Sequence, residues 1–221
     1  MPETTRPTVR ELVLVPAIIT LAVTALRLVG ELQHWSPVLF NRAGGGPGSI
    51  VGIVWLVFIF GAWFAVKLVR AGDGPSGLGR AFGFTVLGIV IVAATIGAIA
   101  ITKMNPLRGV GLISIMMLVA GAVATRGWPA LGKVLFVYAL AARVPVAALM
   151  LPAIIGHWGT HYDALPPNFP AMDPVKTWAL VGLLPQMTLW IGFTLIGGML
   201  AGAIAVAAVG GKRREAVPSA A

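Results

Sequence analysis

The stretch AFGFTVLGIVIVAATIGAIAIT, residues 81–102, decides the fold class, because no charged side chain interrupts it. About 20 consecutive apolar residues are enough for a helix to cross the hydrocarbon core of a bilayer. The segment must be helical there, since lipid offers no hydrogen-bond partner to backbone N–H and C=O groups. The stretch therefore predicts a transmembrane helix.

Similar stretches recur along the chain. Hydrophobic residues make up 58% of the sequence and charged residues only 10%, whereas a soluble domain carries about a quarter charged residues. We predict an all-α polytopic membrane helix bundle over residues 12–209, with about six transmembrane helices near 12–32, 49–69, 81–102, 109–125, 130–155 and 178–209. The last run is long for one span, and Pro185 is expected to kink it.

The Lys and Arg residues between these spans are distributed unevenly. With the N-terminus in the cytoplasm, the cytoplasmic segments hold ten of them and the outer segments four. Cytoplasmic loops carry the excess of positive residues in membrane proteins. We predict a prokaryotic inner-membrane protein with both termini cytoplasmic: an N-terminal tail over 1–11, an outer loop over 156–177 and a basic, disordered tail over 210–221.

Several functional classes are disfavoured by the sequence. The net charge of +9 comes mostly from these linkers and tails, and no basic helix carries interleaved aromatics, so we expect no nucleic-acid partner. The absence of cysteine excludes disulfides and thiolate metal ligands. Residues 71–77, AGDGPSG, match a dinucleotide-binding glycine pattern, but a transmembrane helix precedes them where that motif requires a strand. They are predicted to form a turn.

Arg143 lies midway along the predicted span 130–155, two residues before Pro145. A charge inside the membrane is costly, usually faces the bundle interior and is a functional hypothesis by default. No acidic residue occupies the middle of another span, which leaves Gln186 or Thr188 as polar partners. The functional interpretation is that Arg143 and Gln186 form a site for an anionic substrate or lipid headgroup. The alternative is that Arg143 is a structural clamp at the proline kink.

A second candidate site lies at the predicted outer boundary. The segment GHWGTHYD, residues 156–163, carries His157, His161 and Asp163, and Glu31 and His34 form Glu-x-x-His at the end of the first span. Imidazoles and carboxylates together suit Zn²⁺ or another first-row metal.

The same histidines also have a plainer interpretation. Gly156 and Gly159 make a regular helix across this segment doubtful, and each histidine lies beside or near an aromatic residue. Such amphipathic residues are common at the headgroup level of a membrane. We therefore favour boundary residues over metal ligands, and we expect Arg27 and Glu31, four residues apart, to neutralise each other.

The sequence contains no recognisable catalytic constellation. The favoured function is a non-catalytic membrane subunit or scaffold without a cofactor. The alternatives are a small permease or lipid- or anion-binding protein using Arg143, and an outer-face metal-binding protein. The bilayer is the expected partner, and the glycine pairs 79/83 and 198/202 predict close helix packing within the bundle, with a protein partner or with a second copy.

Overall fold

The structure is a computed structural model that describes residues 7–44 and 49–215, with side chains described up to residue 209. Over these residues the chain is helical and contains no strand. The predicted all-α membrane helix bundle is confirmed. The outermost parts of the two predicted tails, residues 1–6 and 216–221, lie outside the described residues.

Eight α-helices and one π-helical turn follow one another along the described chain. They are α1 Val9–Leu32, α2 Leu56–Arg70, α3 Leu78–Ile101, α4 Pro106–Thr125, α5 Pro129–Gly156, α6 Pro174–Thr177, the π-turn Trp178–Leu183, α7 Leu184–Met187 and α8 Leu189–Glu215.

Five helical segments are long and apolar enough to cross a membrane: α1, α3, α4, α5 and the continuous run Pro174–Val209. The remaining predicted span, near 49–69, is helical only as α2, whose 15 residues extend about 22 Å. That is shorter than the hydrocarbon core of about 30 Å. The predicted number of about six is roughly consistent with this structure, and the chain is an integral membrane protein.

The helix ends follow from local sequence. Before α1, the Thr8 hydroxyl accepts from the Glu11 N–H at 3.2 Å, and the Glu11 carboxylate accepts from the Thr8 N–H at 2.7 Å. These two bonds satisfy donors that a helix start leaves unpaired. At α4, Asn105 accepts from the Leu107 N–H at 3.0 Å, ahead of Pro106 at the first helical position.

The helix α8 is central and contacts α2, α3, α4 and α5. Glycine permits this close packing: a Cβ on Gly61 would lie 2.6 Å from the Cα of Gly198, and one on Gly202 would lie 2.7 Å from Leu131. The predicted close packing at 198/202 is therefore found inside the bundle. A Cβ on Gly79 or Gly83 would meet no described atom within 4 Å.

The helices α1 to α5 and the continuous run Pro174–Val209 alternate in direction, so the bundle has two ends. We call one the terminal end; it holds the start of α1 and the turns 71–77 and 126–128, which Trp128 joins by donating its indole N–H to the Asp73 carbonyl at 2.8 Å. The predicted turn at 71–77 is thus confirmed. The other is the loop end, formed by segments 33–44, 49–55, 102–105 and 157–173.

Apolar side chains fill the bundle from the terminal end inward. We call this cluster the packed core; its largest members include Phe60, Phe64, Leu131, Leu135, Tyr138 and Met199. Phe60 and Phe64 both meet the Tyr138 ring edge to face, with centroids 5.5 and 5.6 Å away. The Tyr138 hydroxyl is bonded to the Thr20 hydroxyl at 2.8 Å, so this polar atom is satisfied inside the core.

Candidate functional site

The loop-end half of the bundle is opened by irregular helix geometry. The π-turn Trp178–Leu183 precedes Pro185, which lacks an N–H, and the helix breaks again at Thr188, with φ −125° and ψ −69°. The Trp178 indole N–H donates to the Ala147 carbonyl at 2.8 Å and ties this segment to α5. In place of a single kink at Pro185, the helix is therefore irregular from Trp178 to Thr188. Such π-helical turns are frequent at functional sites.

A cavity of about 210 Å³ lies beside this segment. It is larger than the cavity of about 150 Å³ that binds benzene in an engineered protein core. Its polar lining consists of Thr24, Arg27, Arg143, His161, Tyr162 and Gln186. Its apolar lining includes Ile53, Val54, Val110, Val146, Met150, Val181, Leu189 and Trp190. The structure thus brings Arg143 and Gln186, which the sequence predicts as one site, to the same cavity.

Arg143 is the cation of this cavity. Only 3% of the residue is exposed, and its guanidinium carbon lies 4.7 Å from the centroid of the Trp190 ring. Its Nε has no hydrogen-bond partner within the described part of the chain. The aromatic ring therefore supports one face of the guanidinium and leaves donors at its edge unused.

Gln186 has a buried side-chain acceptor without a hydrogen-bond partner among the described residues. Its side-chain N–H lies 3.8 Å from the Met150 sulfur, which is a weak acceptor. Its Oε1 is buried and has no partner among the described residues. An unsatisfied buried acceptor costs about 1–3 kcal/mol. One cavity therefore holds an unpaired donor on Arg143 and an unpaired acceptor on Gln186.

The rim of the cavity at the loop end is held by a second group of charges, which we call the loop-end cluster: Arg27, Glu31 and His161. The Arg27 Nε donates to the Glu31 Oε1 at 2.8 Å, so the predicted pairing of these residues is confirmed. The His161 Nδ1 lies 2.6 Å from one carboxylate oxygen and 2.8 Å from the other. The His161 backbone N–H also donates to Glu31, at 2.8 Å. The cluster thereby fastens the 157–173 loop to α1.

Burial lowers the pKa of His161 below its usual value, and the nearby Arg27 adds to this effect, while the hydrogen bond to Glu31 opposes it. The neutral imidazole therefore dominates at neutral pH, with its proton on Nδ1 because Glu31 can only accept there. Burial raises the pKa of the neighbouring Tyr162, so its phenol stays protonated and donates to the Thr24 carbonyl at 3.4 Å.

The predicted metal ligands do not come together as one set. His34 is exposed, with its Nδ1 3.0 Å from the Leu32 carbonyl, and His157 is exposed where it ends α5 in a left-handed conformation, φ 48°. The carboxylate of Asp163 accepts from the backbone N–H groups of Gly159 and Thr160 at 2.9 and 2.7 Å. No three His, Asp or Glu side chains among the described residues are placed to share a metal ion.

The physical reason is that α5 ends at Gly156, so the spacing of four residues no longer places His157 and His161 on one helical face. His161 also departs from the favoured interpretation as a boundary residue, because only 14% of its side chain is exposed. Of the five residues predicted as metal ligands, the structure brings His161 and Glu31 together, and they meet in a direct hydrogen bond.

Two further cavity residues were missed from the sequence. Trp190 follows Gln186 by four residues, a spacing that would place both on one face of an uninterrupted helix. This was an available signal, although the helix break at Thr188 lies between them in the structure. Tyr162 gave no such signal, because its contact with Thr24 joins segments far apart in the chain.

Comparison of the chain with protein-family models, with curated proteins and with solved structures gave no match. The fold and the cavity define the class no further than an integral membrane protein with an internal cavity, whose lining is mostly apolar and includes a few polar side chains. A function must therefore be argued from the geometry of the cavity.

Proposed function

We propose that this protein is a membrane-embedded binding protein for a small organic anion, with Arg143 as the anion-binding residue. The observation that carries the proposal is a buried guanidinium that lines a cavity of about 210 Å³ and whose Nε has no hydrogen-bond partner among the described residues. A buried charge is costly without an opposite charge or hydrogen bonds. The Trp190 contact offsets that cost by only about 2 kcal/mol, and a bound anion supplies the rest.

The alternative of a structural clamp is less well supported. A clamp uses its donors on carbonyls that a proline leaves free, yet the Arg143 Nε bonds to no described residue. A permease would need a second route to the cavity, and the packed core lies between the cavity and the terminal end. We therefore favour binding over transport, and uptake by reconstituted liposomes tests the difference.

The anion-binding function is tested by thermal unfolding in mild detergent with a panel of small organic carboxylates, sulfonates and phosphates. A ligand at a hundred times its dissociation constant stabilises the folded state by about 2.7 kcal/mol. We expect at least one panel member to raise the unfolding midpoint of the wild type and to lose this effect in Arg143→Leu.

The matched control is Arg126→Leu, which removes an exposed arginine at the terminal end and should leave the stabilisation intact. A panel without any effect on the wild-type protein, or an effect that survives in Arg143→Leu, would overturn the proposed function.

A non-catalytic subunit or scaffold is the second candidate function. It is supported by the uncovered positions of Gly79 and Gly83, which meet no other described atom, on a helix whose exposed residues are largely apolar. Small residues on a membrane helix allow a second helix to approach closely. Gly83→Leu should then reduce co-purification of a partner or a second copy, while wild-type protein that purifies alone as a monomer would contradict this function.

We also propose that the protein lies in a prokaryotic inner membrane with the loop end outside and both termini in the cytoplasm, following the excess of Lys and Arg at the terminal end. The chain lacks cysteine, so single cysteines report orientation directly. A membrane-impermeant maleimide should label Asn168→Cys in intact cells and label Ser76→Cys only after lysis. The opposite labelling pattern would reverse the topology.

A further inference from the structure

We infer that the ligand of this cavity is a monocarboxylate with a compact apolar body and a hydroxyl or N–H donor. This assignment rests on the proposed anion-binding function and specifies its ligand class. Three properties of the cavity carry it: the stacked guanidinium of Arg143, whose Nε has no described partner, the net charge of the lining, and the Gln186 Oε1, which also has no described partner.

The free edge of the guanidinium favours a planar anion. Trp190 covers one face of Arg143 at 4.7 Å, so a ligand bonds to the donors that lie in the guanidinium plane. A carboxylate presents two oxygens in one plane and matches the fork of an arginine. Stacking against an aromatic face leaves this recognition edge available.

The charge of the cavity favours a single negative charge on the ligand. Two arginines line it, but the charge of Arg27 is balanced by Glu31, whose side chain is 0% exposed. His161 donates to the same carboxylate. Arg143 is thus the one cation in the described lining whose charge has no acidic partner there, and a monoanion neutralises it. A phosphate dianion would leave one charge buried and uncompensated.

The remaining lining sets the size and polarity of the body. A cavity of about 150 Å³ binds benzene, which has six non-hydrogen atoms. By the same proportion, this cavity of about 210 Å³ holds roughly eight or nine non-hydrogen atoms. Aliphatic side chains, among them Ile53, Val146 and Leu189, surround this space. A ligand close to benzoate in size fills it.

Gln186 favours a ligand that carries a hydrogen-bond donor. Its N–H group faces the Met150 sulfur at 3.8 Å, and its Oε1 is left without a described partner. A site with an unpaired buried acceptor discriminates against ligands that cannot donate to it. A hydroxyl or N–H on the ligand body therefore completes the site.

The test is isothermal titration of the purified protein in mild detergent with benzoate, its three monohydroxy isomers and phenyl phosphate. We expect benzoate to bind, one hydroxybenzoate to bind at least tenfold more tightly and phenyl phosphate to bind at least tenfold more weakly. In Gln186→Met, which keeps the side-chain length and removes the acceptor, the affinity advantage of that hydroxybenzoate over benzoate should fall from at least tenfold to less than twofold. Size-exclusion chromatography and helical circular dichroism verify folding of each variant.

The outcomes separate this inference from the function on which it rests. If no anion of any headgroup binds the wild type, both fail together. If benzoate binds through Arg143 but no hydroxyl isomer gains, or phenyl phosphate binds equally well, the ligand class alone is overturned. Should Arg143→Leu fail to fold, Arg143→Lys replaces it: the charge remains without the planar fork, and benzoate should bind at least tenfold more weakly.

Discussion

The packed core and the cavity differ in whether their buried polar groups have hydrogen-bond partners, although the same helix, α5, contributes to both. In the core, the Tyr138 ring packs against Phe60 and Phe64, and its hydroxyl is bonded to Thr20 at 2.8 Å. Five residues further along α5, the Nε of Arg143 is equally buried and has no described partner. Buried polar groups in folded proteins are nearly always satisfied. The exception therefore marks the part of the bundle where a requirement other than stability governs.

The two buried arginines, Arg27 and Arg143, differ in the same way, because only Arg27 has a carboxylate partner. Arg27 bonds to Glu31 at 2.8 Å and to the Asn41 carbonyl at 3.1 Å, so its charge and its donors are used within the protein. Arg143 has an aromatic face in place of a carboxylate. The first arginine holds the loop end together, and the second remains available to a ligand.

The largest expected effect comes from breaking the packed core. Phe64 is 0% exposed, and Phe64→Ala should lower the free energy of unfolding by about 3–5 kcal/mol because it leaves a cavity. The control is Phe136→Ala on α5, where the ring is 43% exposed and the loss should be below about 1 kcal/mol. Unfolding midpoints in mild detergent measure both. Equal losses would mean that this core does not carry the stability of the bundle.

The second prediction is that removing Arg27 and removing Arg143 change the free energy of unfolding by different amounts. Arg27→Leu should destabilise the protein by about 3 kcal/mol, at the lower end for a broken buried pair, because His161 can take up a proton and partly replace the lost cation. Arg143→Leu in ligand-free protein should be neutral or stabilising, since a buried charge without a partner is removed. The same unfolding measurement compares them. A large loss in Arg143→Leu would support the structural clamp instead.

The third effect is a pH dependence confined to the loop-end cluster. Burial lowers the pKa of His161 in the folded protein, so the unfolded chain binds this proton more readily. Stability is then complete above the ordinary histidine pKa of about 6.5 and falls as the pH drops through it, by at most about 1.4 kcal/mol per pH unit. Unfolding midpoints between pH 7.5 and 5.5 measure the slope.

His161→Gln retains a donor for Glu31 but does not titrate, so its slope over this range should be smaller. The exposed His157→Gln should keep the wild-type slope. If both variants behave like the wild type, the pH dependence has another origin and the pKa of His161 is not lowered on folding.

Much of the fold was predictable because apolar runs and helix-end signals are local. The runs around α1, α3, α4 and α5 and the close packing at Gly198 and Gly202 could be derived from composition and spacing alone. The cost of a charge in lipid was enough to single out Arg143. These predictions depend on a few neighbouring residues and on the bilayer, and not on how distant segments meet.

In the loop-end cluster, the Arg27–Glu31 pair was predictable from its spacing of four residues, but the contact of His161 with Glu31 was not predictable by such arguments. Glu31 and His161 lie 130 positions apart, and their contact depends on the path of the 157–173 loop across the bundle. The spacing of His157 and His161 suggested a shared helical face only if α5 continued, and it ends at Gly156. The cavity likewise depends on the π-turn, whose altered hydrogen-bond register leaves no clear pattern in the sequence.

The smallest predicted effect is a difference in unfolding free energy between two variants. One loses the hydrogen bond of the Tyr138 hydroxyl, and the other loses the Gln186 oxygen, which has no described partner. Tyr138 donates to the Thr20 hydroxyl, which in turn donates to the Pro16 carbonyl at 2.8 Å, so Thr20→Val should cost about 1 kcal/mol by leaving the buried phenol unpaired. In ligand-free protein, Gln186→Met removes an oxygen that already lacks a partner, so the free energy of unfolding should stay unchanged or rise slightly. Parallel denaturant titrations resolve the difference. A cost of about 1 kcal/mol for Gln186→Met would mean that the amide is satisfied within the protein, and the cavity would then resemble the packed core.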